Sequence, residues 1–232
     1  MKPVLVAFCG SDGSGKSSLV QAVREALSAR HPRLATAVCK NSHVEARQLI
    51  DRWLGPPRRG TGEDWDATWI ALGCALDYTR FVEERLLPLC RGAGAELLLL
   101  DRSRDCCLAY AAAVRPACTE LVARMMEAVP AADLTFHLQV PAPLAWERVR
   151  ARAGGPGPRE SLAMAERLNA CYRARFAGRA DVVAVDNRGS IDRTASRIAG
   201  GISALLRRRG LLAAAPRMRQ GSAPGGRARR RG

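Results

Sequence analysis

Val4-Leu5-Val6-Ala7-Phe8-Cys9-Gly10-Ser11-Asp12-Gly13-Ser14-Gly15-Lys16-Ser17-Ser18 joins an unbroken apolar run to a glycine-rich octapeptide, and a helical pattern begins near Ser17. The spacing is G-x-x-x-x-G-K-[ST]. With a strand before it and a helix after it, it reads as a phosphate-binding loop rather than an ordinary Gly/Ser turn. Glycine lets successive backbone N–H groups turn inward around a phosphate without a Cβ penalty. Gly10, Ser11, Gly13, Ser14 and Gly15 are therefore candidate phosphate-cradling residues, with Ser18 in the first helical turn. Lys16 is expected to reach the terminal phosphates, and the Ser17 hydroxyl to ligate a phosphate-bound Mg²⁺. The helix adds unpaired N–H groups and the positive end of its dipole.

Outward from this loop, short apolar runs alternate with helical patterns. Candidate strands are Pro3–Cys9, Ala35–Cys39, Glu96–Leu100, Leu134–Leu138 and Asp181–Val185. Unbroken runs of this length imply strands covered on both faces, and intervening helices imply parallel crossovers. The expected fold is a doubly wound, five-stranded parallel α/β domain over residues 1–210. The longest helical pattern runs from Asp64 to Arg91, with Trp65, Trp69, Leu72 and Leu76 spaced as a buried stripe. Pro88 falls near its end, where a lost N–H matters least. Two loops stand out: 54–62, before this helix, and the Gly154-Gly155-Pro156-Gly157-Pro158 segment, which reads as a mobile lid spanning about 150–160. Arg148, Arg150, Arg152 and Arg159 surround that lid, with Arg148 and Arg152 one turn apart; an ordinary solvated basic face is the competing reading.

Hydrophobic residues make up 47% and charged residues 25%, which are globular values. No uninterrupted apolar stretch of about 18 residues is present, so no membrane span is expected. The first apolar run ends in the phosphate loop, which argues against a signal peptide and for a cytoplasmic protein. The net charge of +15 invites a nucleic-acid reading, but nine arginines fall from Arg207 onward without an acid, leaving +6 for residues 1–206. Residues 211–232 therefore read as a basic, disordered tail, and nucleic acid is expected to matter, if at all, only there. Lysine occurs only at 2, 16 and 40 against 34 arginines, which singles out Lys16 and, more weakly, Lys40. The eight cysteines lack zinc-ligand spacing and read as reduced, mostly buried small hydrophobes.

A second constellation, Asp101-Arg102-Ser103, follows the apolar Leu97–Leu100 run and so emerges at the carboxyl end of a strand, where ligands bind in open α/β sheets. An Asp there can hold Mg²⁺ and an adjacent Arg can grip phosphate; an N-cap with a surface ion pair is the alternative. Phosphate loop, Asp101-Arg102 and an arginine-bearing lid together supply what phosphoryl transfer needs: positioning, a metal environment, positive charge and exclusion of water.

These residues resemble the thymidylate kinase family of nucleoside monophosphate kinases over most of 3–200. Phe8–Ser17 resembles F-E-G-x-D-G-x-G-K-[ST], with Cys9 where an acid is usual, and Asp77–Pro88 resembles D-R-x-x-x-V-E-x-x-I-x-P. Asp101–Tyr110 is similar to D-R-Y-x-x-S-x-x-A-Y, and Asp133–Val140 with Glu147–Arg152 resembles the fourth strand and the helix leading to the lid; Tyr172 and Asp186 also fall at family-like places. The resemblance implies ATP- and Mg²⁺-dependent phosphorylation of a nucleoside monophosphate by a homodimer. Carried over by position, Asp12 would hold the acceptor sugar, Lys16 and Ser17 the donor, Asp101 the metal environment and Arg102 a phosphate. Beyond that carry-over, Arg148 is a candidate for cofactor binding, Arg152 and Arg159 for catalysis, and Lys40, Asp77, Tyr78, Tyr110 and Tyr172 for substrate binding.

Departures from the family pattern fall on the acceptor side. Lys40-Asn41-Ser42-His43-Val44-Glu45 stands where the family has R-E-P-G-G-T, and Cys74-Ala75-Leu76-Asp77-Tyr78 stands for F-x-x-D-R. The resemblance thus loses the aromatic that stacks on thymine and the arginine that holds its phosphate; Arg80 lies about 200° around the helix from Tyr78. The expectation is a nucleotide kinase whose acceptor need not be dTMP. Asp-Arg-Ser is also close to the Glu-Arg-Ser of deoxynucleoside kinases, so a kinase acting on a hydroxyl is the alternative. A third reading is a nucleotide-binding regulator with an interaction tail.

Overall fold

The computed structural model describes residues 2–54, 65–92, 94–157 and 159–212. The 54–62 loop, apart from the backbone of Leu54, and the tail, apart from Leu211 and Leu212, lie outside the described residues. In chain order the elements are β1 (Val4–Cys9), α1 (Lys16–Arg30), β2 (Thr36–Lys40), α2 (Glu45–Leu54), α3 (Trp65–Phe81), α4 (Leu87–Arg91), β3 (Leu97–Asp101), α5 (Arg104–Val114), α6 (Thr119–Met125), β4 (Leu134–Gln139), α7 (Ala142–Ala151), α8 (Leu162–Phe176), β5 (Val182–Asp186) and α9 (Ile191–Arg208). The strands form one parallel sheet in the order β2-β3-β1-β4-β5. β1 therefore lies at the centre, and the chain switches sides around it. That arrangement opens a crevice beyond the carboxyl ends of β1 and β3.

Alternation along the central strands sends side chains to two cores. Val4, Val6, Phe8, Leu97 and Leu99 face α1 and α9, whereas Leu5, Ala7, Cys9, Leu98 and Leu100 face the opposite layer of α3, α5 and α8. The expected strands agree with the observed ones to within a residue. Coverage on both faces holds for β1 and β3; the edge strands β2 and β5 leave Val38 and Val183 exposed.

The long helix corrects the expected stripe. Of the expected stripe, Leu72 packs against the core, Trp69 and Leu76 are about half exposed (49% and 52%) and the side chain of Trp65 lies outside the described residues, while Ile70, Ala71, Ala75, Tyr78 and Phe81 are buried. The buried face is shifted by a residue or two because the small Ala71 and Ala75 let α3 settle close to the core that also holds Cys9 and Leu100. Side-chain size, rather than apolar spacing alone, decides which face goes inward. A π-turn at Val82–Leu86 links α3 to α4, with the Leu87 N–H bonded to the Val82 carbonyl. Pro88 supplies no N–H to the ladder, and the wider turn lies directly before it.

Candidate active site

The loop after β1 is shaped by close packing. Gly13 and Gly15 have φ of +80° and +86°, and a Cβ on Gly13 would lie 2.0 Å from the Ala145 carbonyl oxygen. Lys16 is buried and donates to the Gly10 and Ser11 carbonyls at 2.9 and 2.8 Å, with its ammonium 3.7 Å from Asp12. Burial pushes the Lys16 pKa down, Arg102 adds to that, and Asp12 opposes it. Ser11 Oγ, Ser14 Oγ and Asn187 Oδ1 are buried without hydrogen-bond partners, all around this loop. The two serine hydroxyls, free to donate beside a glycine cradle, suit a bound polyphosphate; the Asn187 oxygen can only accept.

Across the crevice, Asp101 ends β3, and its Oδ2 accepts from Ser17 Oγ at 2.5 Å. The two hard oxygen donors sit side by side, the donor chemistry that Mg²⁺ prefers. Arg102 follows in a left-handed conformation, φ +88°, uncommon for a side chain of this size and of the kind that costs about 1–3 kcal/mol. Its N–H reaches the Phe8 carbonyl at 3.3 Å, and its guanidinium donates to Asp12 at 2.6 Å. Burial works to raise the Asp12 carboxyl, but Arg102 and Lys16 outweigh it and hold the group well below the ordinary carboxylate range. The N-cap alternative for Asp101 is not what forms: Ser103 caps α5, accepting from the Asp105 N–H at 3.2 Å.

Two cavities meet here. One, of about 580 Å³, is lined by Lys16, Ser17, Ser18, Arg148 and Asn187. The other, of about 390 Å³, is lined by Arg47, Cys74, Asp77, Tyr78, Tyr110 and Tyr172, among others. Both are bounded by the same Asp12, Lys40, Asn41, Arg102 and Arg152. The candidate residues thus divide into a loop side, an opposite side and a shared boundary. Arg148 stays on the loop side, donating to the Asn187 carbonyl at 3.2 Å. Arg152, just beyond the end of α7, pairs with Glu160 at the boundary. Arg159 lies on the opposite side, bonded to Asp51 of α2 at 3.0 Å, so the segment around 150–160 is tied to α2.

Some sequence candidates have structural partners of their own. Asp77 accepts from the Ala46 and Arg47 N–H groups at 2.8 and 3.1 Å, capping α2 from a neighbouring helix. Tyr172 is buried and stacked on Phe176, and Asp186 pairs with Arg188 on the exposed side of β5, away from both cavities. Two of the cavity-lining residues that escaped the sequence reading are Arg47 and Asn187. Arg47 is one of 34 arginines and carries no local signal. Asn187 carries one local signal: it is the polar residue directly after β5, whose end lies near the phosphate loop. Lys40 and Arg47 make no ion pair among the described residues, whereas Arg102, Arg152 and Arg159 are each bound to a carboxylate. A family model described as thymidylate kinase matches residues 8–198, more than half of the chain.

Proposed function

The chain belongs to the thymidylate kinase family and is a nucleotide kinase; on that premise we propose that it transfers the γ-phosphoryl of ATP, with Mg²⁺, to a nucleoside or deoxynucleoside monophosphate, through an acceptor pocket altered from the one that dTMP would require. The observation that carries this reading is the shared boundary: the cavity over the phosphate loop and the cavity beside α2 and α3 meet at Asp12, Lys40, Asn41, Arg102 and Arg152. A group bound in one cavity can be handed to a group bound in the other only there.

On this reading the loop cavity takes ATP, held by the loop N–H groups, Lys16 and Arg148, and the metal is held near Ser17 and Asp101. Bound Mg²⁺ would neutralise charge on the donor phosphates. Arg102 and Arg152 lie where positive charge would stabilise the moving phosphoryl, and Asp12 orients Arg102. The opposite cavity offers Lys40 and Arg47, which pair with no carboxylate among the described residues, and this suits an acceptor that already carries a phosphate. This favours a monophosphate over a bare hydroxyl acceptor. Cys74 and Tyr78 replace the aromatic and arginine of the family pattern, which supports a changed base or sugar preference. The family resemblance and the exposed Trp69 and Leu76 support a homodimer.

An ADP-release screen over common and modified nucleoside monophosphates, with product analysis on nucleosides and hydroxylated metabolites in parallel, tests the proposal. Turnover with at least one monophosphate and a new phosphoanhydride in the product is expected. Turnover restricted to hydroxyl acceptors, or none with any, would overturn it.

A further inference from the structure

Two sulfurs lie between the phosphate loop and the acceptor cavity, outside the phosphoryl chemistry. Cys9 is the last residue of β1, directly before Gly10, and Cys106 sits in the first turn of α5. Their Sγ atoms are 3.4 Å apart. Cys9 is fully buried, whereas Cys106 is one of the residues lining the 390 Å³ cavity. Cys9 Sγ also contacts Ser103 Oγ at 3.2 Å, and the Ser103 N–H points to Cys106 Sγ at 3.5 Å. The sulfur at the cavity wall is therefore at a helix N-terminus, with a donor N–H and a neighbouring thiol beside it, and Arg102 lines the same cavity. This is the environment that makes a cysteine a nucleophile. Burial works to raise the Cys106 thiol, yet the Cys9 hydrogen bond and Arg102 outweigh it and lower it; burial keeps Cys9 raised, as the protonated partner.

We propose that Cys9 and Cys106 form an oxidisable dithiol that takes a peroxide-type two-electron oxidant entering through the acceptor cavity and closes to a disulfide beside the phosphate loop. The Cys106 thiolate attacks one peroxide oxygen, the O–O bond breaks, and hydroxide leaves, giving the sulfenic acid. The Cys9 sulfur then attacks the Cys106 sulfur, the S–O bond breaks, and the Cys9 proton leaves with the hydroxyl as water. The sum is two thiols and one hydrogen peroxide converted to one disulfide and two waters. Both sulfurs are on ordered elements, and bonding requires the 3.4 Å separation to close to about 2.05 Å. That closure draws the first turn of α5 toward the loop and removes the thiolate from the wall of the cavity that Arg102 also lines.

The test treats the full-length protein with hydrogen peroxide and maps thiols by digestion and fragment mass spectra, a readout that needs no substrate. A crosslink between the peptide containing Cys9 and Cys106, rather than Cys107, is expected, reversed by dithiothreitol. In Cys9→Ser, Cys106 is expected to persist as a sulfenic acid captured by dimedone. Cys9 and Cys106 remaining thiols while Cys90 or Cys171 oxidise, or no dimedone adduct on Cys106 in Cys9→Ser, would overturn the proposal. With an acceptor in hand, the crosslinked protein should lose turnover on the order of tenfold or more, since displacements of about 1 Å at a reacting site have such effects. Crosslinked protein as active as reduced protein would overturn the effect on the site.

Discussion

At the scale of single residues, Lys16 concentrates the donor assignment. Its ammonium is buried and bonded to the Gly10 and Ser11 carbonyls, so it is held at the loop rather than sampling solvent. Lys16→Ala is expected to lower turnover by roughly 10²-fold or more, the scale of losing one preorganised electrostatic contact. Near-unchanged kcat would contradict the assignment; a thermal melt separates lost chemistry from lost fold. Lys40 and Arg47 carry a different expectation. Arg47→Met should raise the KM for the monophosphate by about tenfold, as expected for one charge-assisted hydrogen bond, and leave the Kd for ATP unchanged by calorimetry, whereas Lys40→Met, at the boundary of both cavities, should weaken both ligands. Equal losses on both ligands in Arg47→Met would place that cation elsewhere in the reaction. Lys16 was legible in the sequence because its partners are its own neighbours along the chain. Arg47 was not, because folding decides whether a cation is paired: among the described residues no carboxylate pairs with it, and Asp51 on the same helix is taken by Arg159.

At the scale of elements, the sheet was legible almost to the residue, since short unbroken apolar runs have few other ways to bury both faces. The inward face of α3 was not. Its spacing was helical on either side, and the choice was made by Ala71, Ala75 and Gly73, whose smallness matters only against a neighbour. A Cβ on Gly73 would come within 2.6 Å of Ile50 Cδ1, so α2 packs tightly on α3 at this point. Asp77 holds the same pair together by capping α2, which brings Arg47 and Asp51 to the cavity. Asp77→Ala is expected to destabilise the fold by about 1 kcal/mol, as loss of a helix cap does, measured by urea unfolding. An unchanged midpoint with weaker acceptor binding would instead make Asp77 a substrate contact. On β4, His137 is buried against Tyr172 and Phe176; burial first, then Arg173, pushes its pKa down to about 4 from 6.5. Between those values the unfolded chain takes up a proton that the folded one does not, so this residue's contribution to stability falls as pH drops from 6.5 toward 4. His137→Phe should therefore flatten the decline in urea midpoint between about pH 7 and pH 5. A decline as steep as in the parent protein would assign it to other groups.

At the scale of the whole molecule, the misjudged stripe carries information. No helix among the described residues is long and apolar enough to cross a membrane, so the large apolar side chains outside the core need another explanation. Trp69 and Leu76 are seven residues apart on α3, hence on one face, and both are about half exposed. Leu49 and Trp53 are exposed on α2, the helix packed against α3, and Trp53 at 76% is the most exposed of the large apolar side chains among the described residues. A lone exposed apolar residue needs no cause, but several on two packed helices favour burial against another chain. In a homodimer the surface would be self-complementary across a two-fold axis, so each substitution acts twice. The double variant Trp69→Glu/Leu76→Glu would bring four added carboxylates to that interface, and the dimer is expected to give way to monomer in light scattering coupled to size exclusion. Because neither side chain lies in the protomer core, the far-UV circular dichroism should stay that of the parent. A monomeric parent, or a double variant of unchanged dimer mass, would refute this interface. The site's own dependence on assembly is separable in the same experiment: among the described residues α2 and α3 line the acceptor cavity but not the loop cavity, so ATP binding should survive dissociation, while acceptor binding should weaken to the extent that α2 and α3 loosen when their outer face is exposed.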